Sequence, residues 1–377
     1  MIPILYEADK TTFGDNGLGG LPHALECTVT REGNTAGGYY LDARYPVDGL
    51  HFEDLREDRI IVAAPAPNRP PQPFRISRIQ REGKTAQIYA PHVSDELSKL
   101  VSYGIHRGTN VQGMCYNYFY QARQIGQTVP FWLTTDITVS SAITFSQPEP
   151  KSLISILLGT EGSVLDVVGG ELEFDAWHII LHRQMGKDTG LQIRTGANIR
   201  NVRAVTDDST LITAVLPYYK GTQNNQDVYV YGALCRSANA GDFHNLHAVP
   251  LDVSEAFQDL GDGVLPTAAD VTAEGQAFIN SSVSTVLRTT YEVDYIPTPP
   301  ELSGITPAPA RTLDLFDRAQ LVLPEYGVQA TAKVVKTVHN VLTDKYQTVT
   351  IGTIQRNAAD TIAAMIQKTR TQQILWR

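Results

Sequence analysis

The stretch from Gly169 to Val202, GGELEFDAWHIILHRQMGKDTGLQIRTGANIRNV, constrains the fold most tightly. Polar and apolar residues alternate from Glu171 to Phe174, Asp175 and Ala176 break the phase, and Trp177, Ile179 and Leu181 resume it on odd positions. A period of two is strand spacing, so the run predicts two strands across a tight turn, the second ended by MGKDTG. The same spacing disposes of a tempting metal motif. His178 and His182 form HxxxH, which on a helix would place two imidazoles on one face. On a strand, residues four apart share a face but stand too far apart to ligate one ion unaided. The segment reads as scaffold.

Similar β pieces recur on both sides. From Thr12 to about Tyr89, LECTVTREGN, GGYYLDARYPV, RIIVAAPAPN and PFRISRIQREGKTAQIYA are short strands separated by Gly, Asn, Pro and Asp. The prolines of APNRPPQP would cost a central ladder its donors, which makes that run a loop or an edge leading into Phe74–Ile79. After Ala90 the character changes. Val93–Leu100 reads as a short helix with Ser94 as cap, and Val111–Gly126 as a longer one with Met114, Tyr118 and Ala122 at four-residue spacing. Tyr116, Phe119 and Tyr120 are expected in the core. PEPKSLISILLG and SVLDVVGG suggest two further short helices. LITAVLPYYKGTQNNQDVYVYGALC reads as a hairpin with a polar GTQNNQD loop, and VQATAKVVKTVHNVLTDKYQTVTIG as strand, turn, strand. Asp252–Leu260 and Ala269–Asn280 read as short helices or turns, and Asn357–Trp376 as an amphipathic helix capped by Asn357.

Composition narrows the function classes. The chain has 377 residues, 42% of them hydrophobic and 19% charged, which is ordinary globular usage. A net charge of −9 without strongly basic runs argues against sequence-specific nucleic-acid binding. No apolar run approaches the length of about eighteen residues that a membrane span requires, and no signal-peptide pattern opens the chain. Three widely spaced cysteines, Cys27, Cys115 and Cys235, fit reduced thiols and assembly in a cytoplasm.

Catalytic signatures are weak. His244 and His247 in DFHNLH lack companion ligands at metal spacing. Cys115 in GMCYN does not match a thiol-protease signature. NGLGGLP has neither a Walker lysine nor the GxGxxG spacing, and DLGDGVLPTAAD lacks the closing carboxylate of a calcium loop. Tyr39, Tyr40 and Trp177 could stack sugars, although isolated aromatics more often pack in cores. No catalytic, cofactor-binding or metal-binding residue is therefore assigned, no cofactor is expected, and the chain is expected not to be an enzyme.

Several blocks, in this order, carry a resemblance: NGLGGLPHALECTVTRE (Asn16 to Glu32), YPVDGLHFEDL (Tyr45 to Leu55), PQPFRISRI (Pro71 to Ile79), APHVSDELS (Ala90 to Ser98), GGELEFD, VLPYYKG (Val215 to Gly221), and the paired-strand block ending at Gly352. Together they resemble the tail-hub or tail-tip proteins of long-tailed bacteriophages, also described as phage minor structural or prophage endopeptidase tail proteins. The resemblance implies a mainly β, α+β fold like a baseplate hub, with two related β-barrel-like domains, inserted helical or mixed segments and a C-terminal helix. It divides the chain into 1–90 (first hub β domain), 91–168 (helical or mixed), 169–235 (second hub β domain), 236–304 (mixed insertion), 305–355 (β segment completing the hub) and 356–377 (C-terminal helix).

The function implied is structural. A homotrimer at the virion tail tip would join the tail tube and distal tail ring to tip or receptor-binding modules and close the channel before DNA ejection. Two similar contact domains per chain would let a trimer meet a sixfold tube. Implied partners are the distal tail protein, the C-terminus of the tape-measure protein and a receptor-binding or fibre protein at the C-terminal end. Many relatives continue into a peptidase, a lysin or a fibre, whereas this chain stops at Arg377, so the endopeptidase label is not expected to carry over. The alternative is a tail-associated peptidoglycan peptidase or hydrolase. At Val93–Leu97 the expected aromatic is missing, and no functional residue is transferred there.

Overall fold

The computed structural model describes residues 1–159, 162–195, 198–207, 211–223, 226–257, 260, 264–281, 288–295, 313–324 and 328–352. They form two compact units, one of Met1–Val205 with Thr290–Ile354 and the other of Thr206–Thr289. Strands dominate and helices are few, which places the fold in the mainly β, α+β class. The expected helix at Asn357–Trp376 lies outside the described residues.

The first unit is organised on a ten-stranded sheet. Its path runs Ile199–Asp207, Arg288–Tyr295, Lys345–Gly352, Val328–Asn340, Glu26–Glu32, Tyr39–Pro46, Thr85–Pro91, Arg78–Glu82, with Arg318–Leu323 and Asp188–Arg194 branching beside Val328–Asn340. The thirteen-residue strand Val328–Asn340 joins distant parts of the chain. Its first half pairs with Arg318–Leu323 and its second half with Glu26–Glu32. Between Val334 and Lys336 the register against Lys345–Gly352 shifts. A bulge there bends the strand so that its two halves can serve different neighbours. Cys27, Val29, Leu41, Tyr45, Ala86, Ile88 and Ala90 are buried with Leu5, Phe52 and Phe74 in one apolar cluster. Thr28, Asp42, Arg44 and Gln87 occupy the alternate positions.

Of the β-barrel-like domains that the resemblance implies, the described residues show an open sheet and no closed barrel. Among the described residues the path ends at Ile199–Asp207 on one side and Arg78–Glu82 on the other. The latter edge carries exposed Arg78, Gln80, Arg81 and Glu82, charges that discourage further pairing.

A four-stranded antiparallel sheet, Gly19–Gly20, Ile4–Tyr6, Ile60–Ala63 and Gln72–Arg75, packs Leu5, Ile61, Ala63 and Phe74 into the same cluster, while Tyr6, Ile60 and Val62 on its other face form a small cluster of their own. Pro73 sits on its edge strand, where a missing donor costs least. The expected single element Phe74–Ile79 is instead two strands, since the chain leaves this sheet after Arg75 and enters the large one at Arg78.

A second apolar cluster gathers helix Val111–Gln124, capped by the Asn110 side chain, against the two-stranded sheet Val101–Gly108 with Ile143–Ser152 and the three-stranded sheet Trp132–Thr135, His178–His182, Glu171–Asp175. The first two of those three strands are parallel and the last two antiparallel, so the strand–turn–strand reading of Glu171–His182 holds, with Ala176 at φ 50° in the turn.

Three local expectations change. Phe119 is buried, but Tyr116 and Tyr120 are 54% and 49% exposed, because the buried stripe of this helix runs through Met114, Cys115, Tyr118, Phe119 and Ala122. Val93–Ser98 is a 3-10 helix capped by His92, whose ring accepts from the Ser94 amide, rather than a helix capped by Ser94. PEPKS continues a strand, with its prolines at a register shift between Gln147 and Lys151, before Ser152 caps a helix over Leu153–Leu157.

The second unit is built on the hairpin Ala214–Gln223 with Gln226–Tyr231. Strand pairing reaches Gln223 opposite Gln226 and so extends into the run expected as loop. Cys235–Arg236 and Ala248–Asp252 complete the sheet, and helix Ala268–Ser281 contributes Val271 and Ile279 to a core with Ile212, Val215, Cys235 and Leu251. Among the described residues no helix is long and apolar enough to cross a membrane.

Candidate functional site

A polar cluster of the first unit surrounds a cavity of about 160 Å³, lined by residues that include Arg31, Asn34, Tyr39, Arg69, Gln72 and Glu173. Its origin lies in β alternation. Arg31 falls on the inward side of Glu26–Glu32, and Glu171 and Glu173 alternate along Glu171–Asp175. Charges in such positions must find partners or stay unfolded.

They do so across the sequence. Asp314 accepts from Arg31 Nη1 at 2.7 Å and from Arg69 Nε at 2.7 Å, and the Tyr346 hydroxyl approaches it at 3.3 Å. Arg69 Nη1 donates to Glu173 Oε1 at 3.0 Å, and the other oxygen of Glu173 meets His182 Nε2 at 2.9 Å. Glu171, 3% exposed, pairs with Lys333 and accepts from the Met185 and Gly186 amides. Burial alone would raise the Asp314 carboxyl, but Arg31 and Arg69 outweigh it and hold the group below the usual carboxylate range.

Neutral groups pin the same hairpin. Gln72 donates to Asp175 Oδ1 at 2.8 Å, and its carbonyl accepts from the Ala176 amide at 2.8 Å and faces His92 Nε2 at 3.3 Å. Asn34 accepts from the Leu172 amide at 2.9 Å and donates to the Gly170 carbonyl at 3.0 Å, as a neighbouring strand would. Burial, reinforced by Arg31, lowers the His92 pKa to about 3, so the ring is neutral and can accept from Ser94 while stacking on Tyr39 with centroids 4.2 Å apart. Glu171–Asp175 is an edge strand, and these contacts cover that edge.

The cluster therefore fixes position. Its charges are committed to one another, and the cavity is below the 300–1,000 Å³ or so of a typical small-molecule site. Among the described residues no group of three or more His, Cys, Asp or Glu is arranged to hold a metal ion.

The residues singled out from sequence are placed as follows. His178 and His182 lie on one strand, His178 bonded to Thr134 Oγ1 at 2.8 Å and His182 to Glu173. His247 packs edge-on to Phe243. Cys115 is buried, and desolvation pushes its thiol up to about 12, opposite to what a nucleophile requires. In NGLGGLP, Gly17 turns the chain at φ +53° and Gly19–Gly20 pair with Ile4–Tyr6. Tyr39 and Trp177 are core-facing, Trp177 only 7% exposed, and Tyr40 packs on Tyr89, so these three form no sugar platform. Arg31, Arg69 and Asp314 were not found from sequence. Asp314 lies 283 residues from Arg31 and 245 from Arg69, and no local pattern connects them.

No protein-family model matches this chain, and no curated protein does. Solved structures do. The fold is shared, over nearly the whole length, with prophage tail proteins. Prophage tail protein gp18 from Listeria monocytogenes superimposes with a TM-score of 0.53 at 12% identity, covering 98% of this chain and 100% of that one. The 43 kDa tail protein of prophage MuSo2 from Shewanella oneidensis gives 0.54 at 11% identity, with 96% and 99% covered. The tail protein from Neisseria meningitidis MC58 gives 0.54 at 12%, with 96% and 98% covered. At such identities the likeness is one of fold.

Proposed function

We propose that this chain is a structural component of a phage tail, acting as a homotrimeric tip or baseplate hub that joins the tail tube and distal ring to tip or receptor-binding modules. The observation that carries the reading is end-to-end correspondence of fold with three prophage tail proteins, each covered by 98% or more. The ion-paired cluster supports it, because a load-transmitting subunit needs its sheets held in fixed relation and needs no reactive centre.

On this reading the open ends of the large sheet are completed by neighbouring subunits, so that two related barrel-like domains per chain form a ring only in the trimer. The distal tail protein, the tape-measure C-terminus and a fibre or receptor-binding protein are the partners, and the chain is not an enzyme. Light scattering on the purified protein, with labelling of virions by antibody against it, tests the assignment. A trimer mass and label at the tail tip are expected; a monomer at high concentration together with unlabelled tails overturns it. Zymography on host cell walls tests the hydrolase alternative, for which no clearing is expected.

A further inference from the structure

The second unit presents an aromatic face with no counterpart in its own core. Along Ala214–Gln223, Val215 joins the apolar core with helix residues Val271 and Ile279, whereas Leu216, Tyr218 and Lys220 occupy the alternate positions. Tyr231 stands opposite Tyr218 and Tyr229 opposite Lys220 on the neighbouring strand, and Asp252 stands opposite Tyr218 on the other side. The face is open: Leu216 is 42%, Tyr229 44% and Tyr231 60% exposed. The Tyr229 and Tyr231 rings lie within 9° of parallel with centroids 6.2 Å apart, and Tyr218 is 6.5 Å from Tyr229. A contiguous exposed aromatic patch of this kind marks an interaction surface more often than scattered single residues do.

Charge identifies the partner. Residues 206–289 contain three Lys and Arg against ten Asp and Glu, a formal −7, whereas the rest of the chain, with 28 against 30, is nearly balanced. Such a unit repels nucleic acid and anionic membrane and attracts cations. The face already holds one: Lys220 Nζ lies 5.9 Å from the Tyr229 centroid and 3.5 Å from Asp227 Oδ2. Ring and carboxylate together are what a guanidinium or ammonium seeks.

We propose that this face docks an extended basic segment of another protein, with Arg or Lys side chains over Tyr218, Tyr229 and Tyr231 and paired to Asp227 and Asp252. Among the described residues Gln226–Tyr231 pairs with one neighbour only, so its outer backbone groups can accept the segment as an added strand. The inference goes beyond the tail reading and does not depend on it.

The test is fluorescence anisotropy of the full chain with a labelled Arg-Ser repeat peptide, against a Gln-Ser peptide of the same length. Binding of the basic peptide alone, weakened by salt, is expected. Y229A/Y231A should weaken it about tenfold while Y229F/Y231F retains it, since the attraction belongs to the ring face. D227N/D252N, which leaves the rings in place, should weaken binding and flatten its salt dependence. Equal binding by Y229A/Y231A, equal binding of the Gln-Ser peptide, or no binding at low salt overturns the proposal. Unchanged melting temperatures identify the variants whose affinities count, and the carboxylate pair decides the matter if the tyrosine pair is destabilised.

Discussion

Asp314 is the residue on which the buried network turns, because two guanidinium groups and a phenol converge on one carboxylate. Removing it strands Arg31, whose side chain is only 9% exposed, without its counter-ion. D314A should therefore cost about 3 kcal/mol in urea unfolding, the scale of a broken buried ion pair. R69A should cost less, since that side chain is 37% exposed and water can replace it. His92 and Asp314 respond to pH in the same direction, opposite to Asp42, Asp95 and Asp166, whose carboxyls burial raises. His92 has a folded pKa of about 3, below its unfolded value of about 6.5, so below that value the unfolded chain takes up a proton that the native state refuses. The lowered Asp314 carboxyl acts the same way from the ordinary carboxylate range downward. The stability that these two groups contribute should thus be full above about pH 6.5 and fall on acidification, at up to about 1.4 kcal/mol per pH unit from His92. Urea midpoints between neutral pH and pH 4 check this, and H92Q should reduce the slope between pH 6.5 and 4, leaving the part carried by His106 and His339, which burial also lowers.

At the scale of elements, the edge of Glu171–Asp175 is covered by side chains acting as a strand. Asn34 alone makes two backbone-like bonds to it. N34A should expose the Leu172 amide and Gly170 carbonyl, lowering stability by about 1–2 kcal/mol and raising hydrogen exchange at Leu172 first. Loss of protection spread evenly over the unit would contradict that placement. Gly17 sets the entry of the short strand Gly19–Gly20. A Cβ there would lie 2.4 Å from the Leu5 carbonyl oxygen in a backbone region with φ +53°, so G17A should destabilise by about 1–3 kcal/mol. Alternation made most of these strands legible beforehand, including Glu171–His182, because a half-buried strand writes its faces into the sequence. The failures share a cause. Tyr116 and Tyr120 carry core chemistry on an outer helical face, and the prolines of PEPKS sit in a strand at a register shift, where the ladder demands no donor.

For the whole molecule, the chain leaves the large sheet after Ile199–Asp207 and returns at Arg288–Tyr295, and these two strands are neighbours. The segment between them is an insertion with its own core. Replacing residues 208–287 with a short Gly-Ser linker should leave a soluble protein with β circular dichroism and one cooperative transition. Insolubility of that variant would show that the first unit depends on the insertion. The acidity of the inserted unit was countable in the sequence, but its meaning was not. Only the hairpin register places Tyr218, Tyr229 and Tyr231 together with Asp227 and Asp252.

The sequence by itself determined a mainly β chain with few helices, the positions of most strands and turns, and an order of blocks whose resemblance to tail-hub proteins anticipated the shared fold. These properties are local, or are written in period-two alternation that any strand must obey. The tertiary structure decided the rest: which sheets share a core, how Val328–Asn340 ties the two ends of the first unit together, and why Arg31, Arg69, Glu173 and Asp314 are tolerated where apolar residues would be expected. Partners that meet across 104 to 283 residues leave no spacing to read, because their pairing is set by the path of the chain through space.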